Sequence, residues 1–164
     1  TRAGLVRRSL EPIPFEVPVS EEDGRERAGS AAYDRILVDA PCTGLGALRR
    51  RPESRWRKSP QDVAPLAELQ GELLSAAVTG LRPGGVVAYV TCSPHLAETR
   101  DVVAAVLDQH RNELEELDAR GVLRRVSRNV PDLATPGSGG GRAQLWPHRH
   151  GTDAMSITLL RRRG

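Results

Sequence analysis

Arg35-Ile-Leu-Val-Asp-Ala-Pro-Cys-Thr-Gly-Leu-Gly46 is the stretch from which the fold can be read. Ile36 to Val38 is an apolar run with the β-branched character of a buried strand. Asp39 sits where that strand should end, Pro41 cannot continue a sheet ladder, and Gly44 and Gly46 free the backbone to turn. In an open α/β sheet, ligands bind just beyond the carboxyl ends of the strands. An acid, Asp39, and a thiol, Cys42, at that position are therefore candidates for chemistry.

A second stretch repeats the design. Val86-Val-Ala-Tyr-Val-Thr-Cys-Ser-Pro94 is an apolar strand introduced by Pro83-Gly84-Gly85 and ended by Cys92-Ser93-Pro94. A lone cysteine at a strand end is more often a small buried hydrophobe than a nucleophile. Here the chain has two cysteines, each at a strand end and each beside a proline. That coincidence is the strongest functional signal in the chain.

The surrounding pattern predicts alternating helices and strands. A helix is expected over Arg2 to Leu10, ended by Pro12 and Pro14. A short strand follows over Phe15 to Val19, then a turn at Asp23-Gly24-Arg25 and a linker over Gly29 to Ala32. Ser59 and Pro60 read as N-cap and first residue of a helix running to about Gly80, with Leu66, Leu69, Leu73 and Leu74 as its apolar stripe. Further expectations are a helix from Ala97 to about Leu117, a strand over Leu123 to Val126, a loop over Thr135 to Gly141 and a last strand over Met155 to Leu160. This order argues an α/β fold with a largely parallel sheet.

Composition limits the alternatives. At 164 residues the chain has the size of one domain and can bury a core. It has no apolar run of membrane-spanning length and no signal-peptide pattern. Two cysteines do not make a disulfide framework, and a reducing cytoplasm fits them. The formal charge of +3 is too mild to indicate nucleic acid by itself. Lys58 is the only lysine, so arginine is enriched throughout and only local clustering of it is informative. One such cluster is Arg49, Arg50, Arg51, Arg55, Arg57 and Lys58, with Trp56 among them. It reads either as a solvated charged face or as a strip for RNA phosphates. Trp56 is expected to anchor in the core, the other reading being a platform for a base. His148 and His150 match no zinc spacing, so no metal is expected; they read as positioning RNA or a loop.

Asp39-Ala-Pro-Cys-Thr-Gly-Leu-Gly46, Arg49-Arg-Arg-Pro52 with Trp56, and Thr91-Cys-Ser-Pro94 with Glu98 closely resemble the RNA cytosine-5 methyltransferases. The likeness is greatest to the Sun (Fmu) branch, which modifies small-subunit ribosomal RNA, and Leu145-Trp-Pro-His-Arg-His-Gly-Thr-Asp153 resembles the same branch. The resemblance covers nearly the whole chain. It implies a Rossmann-like, S-adenosylmethionine-dependent methyltransferase fold with RNA as partner. It also implies that residues 1–164 are the C-terminal portion of the catalytic domain, with the glycine cofactor loop and an RNA-binding domain upstream of Thr1. The glycine-dense run Gly137 to Gly141 does not join a strand to a helix and reads as a flexible loop.

By the same resemblance Cys92 is the nucleophile, Cys42 assists proton removal and product release, and Asp39 stands near both the cofactor and the target base. Asp23 matches the family acid that contacts the adenine. Carbon 5 of cytosine is a poor nucleophile, and thiolate attack at carbon 6 pushes electron density onto it; cysteine suits that task. A transfer RNA substrate keeps the same chemistry. A non-catalytic RNA-binding module is the alternative of another class, but a binding module has no need of either thiol.

Overall fold

The computed structural model describes residues 1–26, 32–129, 132–133 and 140–164. The Gly29 to Ala32 linker and the Thr135 to Gly141 loop fall mostly outside the described residues. The elements are α1 (Arg2–Leu10), β1 (Tyr33–Asp39), α2 (Ser54–Arg57), α3 (Val63–Gly80), β2 (Leu81–Thr91), α4 (Arg100–Gln109), β3 (Leu114–Leu117), α5 (Ala119–Val126), β4 (Ala143–Gln144), α6 (Pro147–His150) and β5 (Ser156–Arg162).

The class is α/β, but the sheet is mixed rather than largely parallel. Its order is β1-β2-β5-β3, with β4 also paired to β5. β1 and β2 run parallel, with Ile36 opposite Val87 and Asp39 opposite Val90. β5 runs antiparallel to β2, β3 and β4. The parallel pair is the one that matters for the site. Its register brings the carboxyl ends of β1 and β2 side by side, and the Ala40 N–H extends the ladder by donating to the Val90 carbonyl at 3.0 Å.

Two apolar layers sandwich the sheet, and the period-2 alternation of its strands separates them. On one face Leu74 and Val78 of α3 and Val102, Val103 and Val106 of α4 pack on Val87, Tyr89 and Leu160. On the other, Ile157 and Leu159 of β5 pack with Ala119, Leu123, Leu133 and Ala143. α3 begins as the sequence indicates. Ser59 and Asp62 form a capping box around a short 3-10 turn that leads into the helix.

Several elements differ from expectation. β2 begins at Leu81, because Pro83-Gly84-Gly85 forms a bulge inside the ladder instead of a turn before it; Gly84 has φ +79. The helix expected to reach Leu117 stops at Gln109, and Leu114 to Leu117 pairs with β5 as a strand. Leu114 is buried there, and Glu115 ion-pairs with Arg161 opposite it, so tertiary pairing outweighs helix propensity. Leu123 to Val126 is helical rather than extended, within α5, whose N-cap Asp118 accepts from the Gly121 N–H at 3.0 Å. Phe15 to Val19 forms no strand, and Phe15 is 70% exposed. Among the described residues no ladder partner stands beside it.

Candidate active site

Cys42 lies three residues past β1 and Cys92 one residue past β2. The parallel register therefore carries the two thiols to one place, and their sulfurs are 3.4 Å apart. Each is half-buried. Either thiol can donate in that contact, and the surroundings decide which does. Hydrogen bonding from Cys42 holds Cys92 down at about 7, against the opposing effects of burial and of the Asp39 and Asp153 charges. Cys42 is pushed up, first because it donates to Cys92, then by burial and by the charges of Cys92 and Glu98. The direction of the two shifts favours Cys42 as the donor and Cys92 as the sulfur that more readily carries the negative charge.

The loop between the two motifs is stitched down at Gly46. Its N–H donates to the Cys92 carbonyl at 2.9 Å, and its own carbonyl accepts from the Ala154 N–H at 2.9 Å. A Cβ on Gly46 would stand 2.0 Å from the Ala154 carbonyl oxygen. Glycine is needed at this position for close approach, whereas Gly44 takes a left-handed φ of +74 and supplies the turn.

Asp39 is exposed at the end of β1. Among the described residues no donor reaches its carboxylate, so both oxygens are open to a ligand. Asp39, Gly24 and the β1 backbone line a groove of about 430 Å³ between the β1 edge and α3, walled by Ile36, Val38, Leu73 and Ala77. Leu37 on this edge is 70% exposed. Asp23, next to Gly24, is held at about 2 by hydrogen bonds from Arg25. Arg25 also reaches Glu72 of α3 at 2.8 Å, which pins the turn beside the groove.

The basic cluster divides. Arg50 grips the buried Asp153 through Nε at 2.8 Å and Nη2 at 2.5 Å, and Arg49 stands 3.9 Å from the same carboxylate. Arg51, Arg55, Arg57 and Lys58 are exposed and, among the described residues, make no ion pair. Trp56 is 83% exposed, so it is not a core anchor. His150 is fixed by both ring nitrogens: Nδ1 accepts from the Trp146 N–H at 2.8 Å, and Nε2 donates to the Asp132 carbonyl at 2.8 Å. His148 is exposed on α6, its ring 6.0 Å from that of Trp146. Among the described residues no group of three or more His, Cys, Asp and Glu side chains could hold a metal ion.

The sequence reading gave no role to Asp153 as the partner of Arg50, nor to Gln70 and Glu98. The Gln70 amide donates to the Pro41 carbonyl at 2.8 Å, just ahead of Cys42. A polar residue facing inward from the apolar stripe of α3 was the only local signal for it.

A family model described as 16S rRNA methyltransferase RsmB/F matches residues 1–161. A Mycobacterium tuberculosis protein with a provisional methyltransferase name is 54% identical over 161 residues, which are 98% of this chain and 33% of that protein. Ribosomal RNA small subunit methyltransferase B of Salmonella typhi is 40% identical over 111 residues, 66% of this chain and 26% of its own. Among solved structures, NSun6 from Pyrococcus horikoshii, determined with the S-adenosylmethionine analogue SFG, superposes with a TM-score of 0.77 at 25% identity, over 99% of this chain and 39% of that one. The chain spans about a third of the length of the curated relatives it matches.

Proposed function

The chain belongs to the 16S rRNA methyltransferase RsmB/F family, and on that premise we propose that its protein methylates carbon 5 of a cytosine in small-subunit ribosomal RNA through a covalent Cys92 adduct. The observation that carries this reading is the 3.4 Å contact between Cys42 and Cys92 at the joined ends of two parallel strands. Residues 1–164 supply the C-terminal portion of the catalytic domain on this reading, working in the cytoplasm with reduced thiols.

The Cys92 thiolate attacks carbon 6 of an unstacked cytosine, forming a carbon–sulfur bond and moving an electron pair toward carbon 5. Attack turns Cys92 from an anion into a thioether. The largest cause that held the proton on Cys42 then disappears. Cys42 gives that proton to water and, as the thiolate, takes the proton of the carbon-5–hydrogen bond after methylation. The electron pair of that bond re-forms the ring double bond, and Cys92 leaves as thiolate. Asp39 meets the cytosine edge at the ring nitrogen or the exocyclic amine and so orients the base for attack.

S-adenosylmethionine, when bound, supplies an electrophilic methyl group on a sulfonium. The residues present fit one side of such a site. The open Asp39 carboxylate and the turn at Asp23 border one groove with apolar walls, which suits a ligand with hydroxyl and amine donors on an aromatic body. Asp39 would hold it directly, and Asp23, whose carboxylate Arg25 now occupies, would join it from the turn at Gly24. RNA lies along Arg49, Arg51, Arg55, Arg57 and Lys58 with Trp56 as a stacking platform, and His148 borders the same RNA path. Arg50 and His150 serve this path by fixing the backbone beneath it.

The test is methyl transfer by the full-length protein from labelled S-adenosylmethionine to purified small-subunit ribosomal RNA and transfer RNA, followed by digestion to nucleosides. Label in 5-methylcytidine from ribosomal RNA, absent with Cys92→Ala, is expected. Label confined to transfer RNA would change the substrate, and label in another nucleoside, or undiminished with Cys92→Ala, would refute the mechanism.

A further inference from the structure

Glu98 is the most deeply buried carboxylate among the described residues, with 0% exposure, and its side-chain hydrogen bonds go to neither sulfur. Its Oε1 accepts from the Thr43 N–H at 2.7 Å and the Gln70 amide at 3.3 Å. Its Oε2 accepts from the Thr43 and Ser93 hydroxyls, both at 2.6 Å. Thr43 follows Cys42 and Ser93 follows Cys92, so one side chain grips the residue after each cysteine. The backbone of Glu98 is anchored in turn, because the Tyr89 hydroxyl donates to its carbonyl at 2.8 Å. Gln70 closes the network from α3 by holding the Pro41 carbonyl.

A carboxylate taken out of water is costly unless its oxygens are fully hydrogen-bonded. These oxygens receive one backbone and three side-chain donors, and three of the four come from the two cysteine loops. Folding Glu98 into this position therefore requires both loops to be in place at once. The strand register brings the loops near each other; it does not fix the spacing of side chains beyond the strand ends.

We propose that Glu98 is the positioning residue of the dithiol, locking the loops after β1 and β2 together so that Cys42 meets Cys92 as donor to acceptor. This rests on the reading in which Cys92 attacks and Cys42 assists. Glu98 acts through Thr43 and Ser93 by geometry and is not a catalytic group. Charged and titratable groups facing the pair from the packed elements are Asp39 from β1, Tyr89 from β2, Arg50 from the loop after β1, Glu98 itself, and Asp153 from the segment before β5. Glu98 alone among them binds both loops.

The test reads the thiols without RNA. Cys92 and Cys42 of the full-length protein are alkylated with iodoacetamide across pH and quantified by peptide mass spectrometry, with a thermal melt of each variant alongside. In the wild type, Cys92 should be half-reactive near pH 7, well ahead of Cys42. Glu98→Ala should raise the Cys92 midpoint toward that of an ordinary thiol, about 8.5, and bring the two cysteines together. Glu98→Gln keeps an acceptor for the Thr43 N–H and an amide that can donate to the hydroxyls, so it should restore most of the separation. Ser93→Ala removes one of the four contacts and should shift the midpoint less, in the same direction. It carries the test if Glu98→Ala does not melt cooperatively.

A folded Glu98→Ala, or failing that Ser93→Ala, with an unmoved Cys92 midpoint overturns the proposal. So does a Glu98→Gln that shifts as far as Glu98→Ala, because the charge and not the placement would then be at work. If the thiols respond as expected but no RNA adduct forms, the methyl-transfer reading fails and the positioning role of Glu98 stands.

Discussion

Gly46→Ala should be among the most damaging single-methyl changes in this protein. The added Cβ would lie 2.0 Å from the Ala154 carbonyl oxygen, 2.8 Å from the Cys92 carbonyl oxygen and 2.9 Å from the Ala154 carbonyl carbon. All three are backbone atoms, which cannot rotate aside as a side chain does. A relaxed carbon–oxygen contact is about 3.3 Å or more, so the segments must part by on the order of 1 Å. The two hydrogen bonds at this point, Gly46 to Cys92 and Ala154 to Gly46, are then lost or stretched. Each contributes about 0.5–1.5 kcal/mol, and forced overpacking adds about 1–3 kcal/mol, for roughly 2–6 kcal/mol altogether. Gly44→Ala is the control. Its φ of +74 strains any L side chain, but a Cβ there meets nothing, so its cost should be about 1 kcal/mol. Urea unfolding of the two variants measures the difference, and Cys92 alkylation should change in Gly46→Ala alone. A Gly46→Ala protein no less stable than Gly44→Ala would refute the claim that this backbone approach holds the site closed.

Asp153→Asn removes the carboxylate that Arg50 grips, which lowers the Asp153 pKa chiefly by hydrogen bonding. A depressed carboxylate contributes stability above its ordinary pKa and loses it as pH falls through the folded value, so the melting deficit of Asp153→Asn should be present at neutral pH and close on acidification; a deficit independent of pH would count against the ion pair. Trp56→Ala should weaken RNA binding by the worth of one stacked base, about 1–3 kcal/mol, in a filter-binding titration, and leave the melting temperature unchanged. A large fall in stability would mean that the exposed ring packs elsewhere. Reversing charge at Arg51, Arg55 and Arg57 should flatten the salt dependence of RNA affinity, since each phosphate contact releases counterions; an unchanged slope would assign those residues to a solvated face.

Much of this architecture was legible because local signals and tertiary demands agreed. The apolar runs before Asp39 and Cys92, with prolines just beyond, mark the strand ends, and β1 and β2 lie where those runs predict their carboxyl ends. Ser59-Pro60 marks the start of the α3 segment for the same reason. The failures lie where distant pairing decides. Leu114 to Leu117 continues a plausible helical pattern, and only the edge offered by β5 makes it a strand. The antiparallel direction of β5 has no local signature at all. In the site, the cysteines stood out by their motifs, whereas Glu98, Gln70 and Asp153 also act through contacts 55, 28 and 103 residues away in sequence, to Thr43, Glu98 and Arg50. Trp56 is exposed where a core anchor is expected, because an aromatic ring in a charged run has no period from which to read its face.

Which sulfur holds the RNA decides between the two roles. Full-length Cys42→Ala, incubated with small-subunit ribosomal RNA and S-adenosylmethionine and run on a denaturing gel, should give a slow-migrating protein–RNA band. Attack and methylation remain possible in that variant, while loss of the carbon-5 proton, and with it release of Cys92, is impaired. The band should vanish in the Cys42→Ala/Cys92→Ala double variant. A band that persists without Cys92, or that forms through Cys42 in Cys92→Ala, would contradict the assignment of roles at the 3.4 Å sulfur pair.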